Sequence, residues 1–547
     1  MHRRLHASLA LVCVQLACTT KADEGASSLG SSSDATTVTA TATGTTGSGA
    51  SSAATTGTGS STTGGATGPK FDVAVDAGLP PPDETTCEAA AEARSSAGCR
   101  FAPVVANQNW TRTYGVAVGN VGTDDAHVVL YDRFGAVLEQ ATVPPASMEV
   151  FTLEGNSQVL SDHQSPIETA VHLQALRLES DVPVVAYQFT PYADSQVASS
   201  DASLLLPDHA WDDDYVAVNF ANDGVPWILV VSLDDGNEVT VQAPTSFSGL
   251  TAPGAGIPAL GAGQSFSVQL DAQQALRVIT SSVDPSVDLT GFRVTSTAPV
   301  AVFVGSPSIS IPGPGMNFYK DYLEEQLLPV AAWGTHYVAA KFRERGGETD
   351  LYRIVAAEDG TVVELSGDVQ ATYPLDAGAF VQVASSGGFE ATANHPFLVA
   401  HFLTSQDQTV GPKDPVAYPG EGQSGNCQTG GANSTYLGDP AMSILVPTEQ
   451  YRRRYVFLTP ATYAWDSLTV VAPSGTIGDI LLDGGPITAT PVPVGGGPWS
   501  RASFAVGDGV HVIEGPAGFG IEAYGYDCAI AYAYPGGMRV EKINPAG

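Results

Sequence analysis

The sequence predicts an all-β protein of four tandem β-rich repeats, each a small β-sandwich-like unit. Propeller-like closure of the four repeats is the alternative that periodicity leaves open. Three observations carry this expectation. Pro183-Val184-Val185-Ala186-Tyr187-Gln188-Phe189 returns as Pro299-Val300-Ala301-Val302-Phe303-Val304-Gly305 and as Pro396-Phe397-Leu398-Val399-Ala400-His401-Phe402, with a weaker echo at Phe519–Gly525. Self-similarity at a spacing of roughly 90–120 residues marks an array of like units. Short apolar or alternating runs are punctuated by turn residues, with 59 Gly and 37 Pro in 547 residues. Helix-prone segments are scarce, at Cys87–Arg94 and Tyr322–Leu328.

The repeat at 321–405 is the most regular. Its expected strands are His336–Phe342, Leu351–Ala356, Thr361–Leu365, Ala379–Ala384, Phe389–Ala393 and Phe397–Leu403, with a tight turn at Asp359-Gly360. The repeat at 201–310 keeps the same order. Leu205-Leu206-Pro207 matches Leu327-Leu328-Pro329, Trp211 matches Trp333, and Asp235-Gly236 matches Asp359-Gly360. The recurring Trp is expected to be a core anchor. The repeat at 440–540 retains Leu445-Val446-Pro447, Tyr455-Val456 and Asp483-Gly484. The first, at 87–200, lacks the Leu-Pro step, as terminal units often depart from the pattern. The recurring Pro-Val strand is apolar on both faces and is expected to be the buried closing strand of each repeat.

The N-terminus reads as a targeting segment over 1–17. Arg3 and Arg4 precede a short apolar run that ends Leu16-Ala17-Cys18. A small residue before Cys resembles the bacterial lipobox, which makes Cys18 the lipid anchor; Gln15 stands where that motif prefers Leu. The alternative is ordinary secretion into the periplasm or medium. Residues 18–86 then form a Ser/Thr/Gly-rich tether too poor in apolar side chains to offset chain entropy. A flexible stretch of about 45 residues spans on the order of 35–40 Å. Anchor, tether and folded region 87–547 make a surface-display arrangement at the outer membrane. The membrane is engaged through the N-terminal lipid alone.

A net charge of −34, from 23 basic and 57 acidic residues, disfavours nucleic acid, whose phosphates demand Lys and Arg. Beyond the signal segment four cysteines remain: Cys87, Cys99, Cys427 and Cys528. A straight helix from 87 to 99 would part its ends by about 18 Å. A disulfide tolerates about 7 Å between Cα atoms. Pairing Cys87 with Cys99 therefore requires the helix to stop near Arg94 and Ser95-Ser96-Ala97-Gly98 to fold back. Cys427–Cys528 is then the remaining pair. No C-x-x-C or His cluster points to zinc, so neither a metal site nor a cofactor is expected.

Catalytic patterns are missing. Gly422-Gln423-Ser424-Gly425-Asn426 is no nucleophile elbow. His336, His395, His401 and His511 stand singly and read as ordinary strand residues. Asp212-Asp213-Asp214 is placed in a loop just before a strand, whereas Asp234-Asp235-Gly236-Asn237-Glu238 lacks the calcium-loop plan and, like Glu358-Asp359-Gly360, reads as a turn. The Gly-rich insertion at 406–440 is the best candidate for a special surface.

Several ordered motifs bear a family likeness. They include Ser200-Asp201-Ala202-Ser203-Leu204-Leu205-Leu206-Pro207, Glu325-Gln326-Leu327-Leu328-Pro329, Tyr352-Arg353-Ile354-Val355-Ala356-Ala357, Gly438-Asp439-Pro440-Ala441-Met442 and Tyr532-x-Tyr534-Pro535-Gly536-Gly537-Met538. From about Cys87 to Val540 the chain resembles the N-terminal domain family named after the IgG-Fc-binding protein of mucus, which also occurs in exported bacterial proteins. The family's usual cysteines after the Pro-Val strand are missing from Ser306–Lys320. The resemblance implies binding and carries over no catalytic residue. The expected function is therefore a non-catalytic cell-surface binding or adhesion protein for a protein or glycan ligand. An exported hydrolase and a structural envelope component are the alternatives.

Overall fold

The computed structural model describes residues 84–106, 113–164, 167–192, 199–313, 320–406, 438–461, 463, 465–527 and 530–544. Cys18, Cys427, Cys528, the tether as far as residue 83 and residues 407–437 of the insertion lie outside them. The described residues are all-β apart from two short α-helices, Cys87–Glu92 and Gln158–His163, and a few 3₁₀ turns.

The recurring Pro-Val segment is half of a longer strand. Arg177–Thr190, Arg293–Ile309 and Gly509–Asp527 each lie within a single sheet, of seven, eight and eight strands, and change neighbours along their length. Before the proline, Arg177–Ser180 pairs with Ala126–Tyr131, and Arg293–Ser296 pairs with Asn237–Gln242. After it, Val184–Phe189 pairs with Tyr114–Asn120, and Val300–Gly305 with Trp227–Ser232. Proline has no N–H to give the ladder. The strand exchanges one neighbour for another there while staying in the same sheet. In the third repeat the change is complete. Gly388–Ala393 and Phe397–Phe402 flank Pro396 and belong to separate four-stranded sheets. Repeats one, two and four are thus curled, sandwich-like sheets each built on one long switching strand, and repeat three divides the same plan between two sheets.

After each switching strand comes a short linking strand: Asp201–Leu205, Asp321–Gln326, Met442–Ile444 and Ile530–Pro535. Each pairs antiparallel with the end of the switching strand before it. The four linking strands also pack on one another. Repeats one and four meet: Tyr187 Oη donates to the carbonyls of Val456 and Gly536, and Ser96 N donates to the Met538 carbonyl. The repeats therefore close around a common centre, so sandwich-like units and circular closure coexist.

The Leu-Pro steps introduce matching structures. Pro207, Pro329 and Pro447 each precede a one-turn 3₁₀ helix. Trp211 and Trp333 follow the first two, are buried, and donate from Nε1 to the carbonyls of Leu206 and Leu328. Tyr215 and Tyr337 then send their hydroxyls to the Val300 and Phe397 carbonyls, both at 2.7 Å, and Tyr455 does the same to Phe519. In the first two cases the accepting carbonyl belongs to the residue just after the proline, where the ladder is interrupted. Both Asp-Gly turns hold as expected. Gly236 and Gly360 have φ of +69° and +71°, and Asp235 and Asp359 accept backbone N–H bonds from Ala272 and Ala377.

Neighbouring repeats interlock where a glycine meets the next proline. A Cβ on Gly334 would lie 2.3 Å from Pro447 Cβ and 2.7 Å from Glu449 Oε2. Gly334→Val is expected to lose about 1–3 kcal/mol by overpacking, read as a lower urea midpoint at unchanged slope.

Two expectations are corrected. Tyr322–Leu328 is not helical: Asp321–Gln326 is a strand buried along its whole length. Its Leu, Glu and Gln favour helix in isolation, but pairing with Phe303–Ile309 and burial among the linking strands override that preference. Asp212-Asp213-Asp214 is not a loop but the start of strand Asp212–Val216, where Arg293 forks onto Asp214 and Lys542 reaches Asp212 at 2.7 Å. The helix after Thr86 does stop early. It ends at Glu92, Arg94 takes φ +46°, and the Cys87–Cys99 disulfide forms with Cα atoms 5.7 Å apart.

Candidate binding surface

Each linking strand begins at the same end of the central bundle. Asp201 and Asp321 are fully buried there. Asp201 accepts backbone N–H bonds from Ala202, Glu324 and Ala533. Asp321 accepts from Ser200, Tyr322 and Ala531. Each carboxyl thus ties its own strand to two others. Burial raises both groups well above the usual carboxylate range, against the pull of those donors. The connections between switching and linking strands all leave from this end. Ser405 N donates to the Ile311 carbonyl, and Gly438 N donates to the Asp527 carbonyl at 2.8 Å.

Arg345 holds both feet of the insertion. Its guanidinium donates to the carbonyls of Thr404, at 2.7 Å, and Gly438, at 2.6 Å. It also stands over the Tyr526 ring and pairs with Glu348, wholly out of solvent. Sequence reading missed this arginine, because nothing in Arg343-Glu344-Arg345-Gly346 distinguishes it from a solvated turn.

His401 is the larger surprise. It lies in the third switching segment, fully buried, with Nε2 2.9 Å from Asp350 and Nδ1 3.1 Å from Glu522 of the fourth repeat. Phe342 and Tyr352 stack on its two faces at 3.8 and 4.4 Å. Burial alone would lower its pKa, but the Glu522 and Asp350 carboxylates carry it up to about 9. His336, His395 and His511 also meet carboxylates: Glu390, Glu358 and Asp483. These four histidines, single in the sequence, thus each contact a carboxylate in the fold.

Glu324 joins repeats one and two. Gln188 and Tyr322 donate to it at 2.6 Å each, and burial pushes it up to about 7. A carboxyl raised above its unfolded value contributes stability at low pH that is lost as pH rises through the folded value. Glu324→Gln is therefore expected to flatten the loss of stability between pH 5 and pH 8, by about 3 kcal/mol, in urea melts across that range.

A crevice of about 230 Å³ lies where repeats four and one meet, lined in part by Glu84, Thr123, Arg452, Arg454 and Tyr455. Arg452 bonds Glu84 at 2.6 Å and Ser95, and Arg454 donates to the Val121 carbonyl at 3.0 Å, so these cations hold the closure. Asp234, Asp235 and Gly236 form a turn and Asn237 and Glu238 begin the strand Asn237–Gln242, and no group of three or more metal-ligating side chains occurs among the described residues. No described helix is long and apolar enough to cross a membrane.

The fold is thus a closed all-β repeat array with its strand connections gathered at one end. A family model described as IgGFc binding protein matches residues 201–525, more than half of the chain, and the chain belongs to that family. The match begins at the first linking strand, so the atypical first repeat lies outside it. The human IgGFc-binding protein is 26% identical over 257 residues, which are 46% of this chain and 4% of that protein. No solved structure matches the chain.

Proposed function

We propose that the chain is an exported, lipid-anchored binding or adhesion protein that engages a protein or glycan ligand without catalysis. Family membership is the observation that carries this reading, since a relative is named for binding the Fc part of IgG. Ligand contact is placed at the end of the central bundle where the connections gather, because loops on a rigid frame are where binding surfaces are usually built. The test is titration of the whole chain against immobilised IgG Fc, mucin and polysaccharide. Saturable binding to one of them is expected; none to any of them contradicts the reading.

Anchoring is a separate part of the proposal. Cys18→Ser is expected to move the protein from membrane to soluble fractions, and unchanged partitioning would overturn the lipid at Cys18. A Cys427–Cys528 disulfide is proposed because these two cysteines remain once Cys87 has paired with Cys99. Non-reducing peptide mapping is expected to recover the two cysteines linked, and recovery of both as free thiols would exclude it.

A further inference from the structure

The turn between the third repeat's first two strands, His336–Ala340 and Asp350–Ala356, carries a constellation that ion pairing alone does not explain. Lys341, Glu348 and Asp350 are buried together, their side chains 3%, 0% and 0% exposed. Lys341 Nζ lies 3.1 Å from Glu348 Oε1 and 4.0 Å from Asp350 Oδ1. The two oxygens of Asp350 are treated differently. Oδ2 accepts from Phe342 N at 2.7 Å and from His401 Nε2 at 2.9 Å. Oδ1 is buried with no hydrogen-bond partner. A buried carboxylate oxygen left unpaired is costly, and native structures rarely keep one without a reason.

We propose that Lys341 and Asp350 condense into an intramolecular amide, with Glu348 moving the proton. The parts have the roles such a step needs. Glu348 takes one proton from the Lys341 ammonium, and the resulting amine attacks Asp350 Cγ. Oδ2 gathers the developing negative charge, facing the Phe342 N–H and the His401 imidazolium, as preorganised donors do in acyl chemistry. The Nζ–Cγ bond forms and the Cγ–Oδ1 bond breaks. Oδ1 leaves as water with the proton held by Glu348 and a second proton from the amine. One ammonium and one carboxylate become one amide and one water, so charge and atoms balance with no cofactor or oxidant. Glu348 Oε1 lies 3.1 Å from Lys341 Nζ, within reach of the proton it has to move.

The product removes two buried charges and the unpaired Oδ1, while Oδ2 stays as an amide oxygen facing His401, whose charge partner is then Glu522. It also closes the turn that carries Arg345, the residue holding Thr404 and Gly438. The amide would therefore act as a covalent brace beneath the feet of the insertion.

Mass spectrometry of the whole native-sequence chain tests this. Trypsin is expected to release Asp321–Arg343, uncut after Lys341, joined to Gly346–Arg353, about 18 Da (one water) below the sum of the two peptides. Recovery of the two stretches as separate peptides, with cleavage after Lys341, would overturn the proposal. Glu348→Gln is expected to yield the separate peptides. A linked product from that variant would overturn the role of Glu348, and a circular-dichroism spectrum matching the parent shows that it has folded.

Discussion

Replacing His401 by Ala is expected to destabilise the protein by about 3–5 kcal/mol, the range for removing one partner of a buried ion pair. In the third switching segment the buried His401 imidazolium bridges repeat three to Glu522 of repeat four. Its loss leaves Glu522 facing a cavity between the Phe342 and Tyr352 rings. The pH dependence has a definite sign. The imidazole is raised above its unfolded value to about 9, so its contribution is complete below about pH 6.5 and disappears as pH rises through 9. Urea melts at pH 6 and pH 10 measure it. Wild type and H401A are expected to differ widely at the lower pH and to converge at the higher one. An equal gap at both would show that packing, not charge, is what the histidine supplies.

Trp333→Ala is expected to cost about 3–5 kcal/mol, as deletion of a buried aromatic side chain does. Trp333 is fully buried, and its Nε1 satisfies the Leu328 carbonyl across the 3₁₀ turn Val330–Ala332. The smaller change Trp333→Phe keeps most of the apolar contact and leaves that carbonyl unpaired, which costs about 1–3 kcal/mol. Urea midpoints of the two variants should fall in that order. Equal losses would mean that the hydrogen bond, not the ring, holds the Leu-Pro step in place.

The repeats were legible because their determinants are local. Pro299 and Pro396 interrupt a ladder wherever they fall in a strand. Asp235-Gly236 and Asp359-Gly360 need only one left-handed glycine each, and Trp211 and Trp333 cap turns five residues back from themselves. The short helix and the Cys87–Cys99 bond followed from chain geometry over twelve residues. What escaped the sequence depends on partners far away along the chain. Asp321–Gln326 looks helical until Phe303–Ile309 and the other linking strands are beside it. His401 looks ordinary until Glu522, 121 residues later, is placed against it. Arg345 gains its role only because Thr404 and Gly438 come together. Circular closure is likewise a contact between Ser96 and Met538, which no period within the array encodes.

In the proposed function, the closed array of β repeats binds its ligand at the end where the strand connections gather. Hydrogen exchange of the whole chain, with and without the ligand identified by titration, tests it most directly. Added protection is expected in peptides covering 199–201, 311–321, 404–439 and 527–530. Protection confined to the opposite turns around Asp235-Gly236 and Asp359-Gly360, or none at saturation, would contradict it.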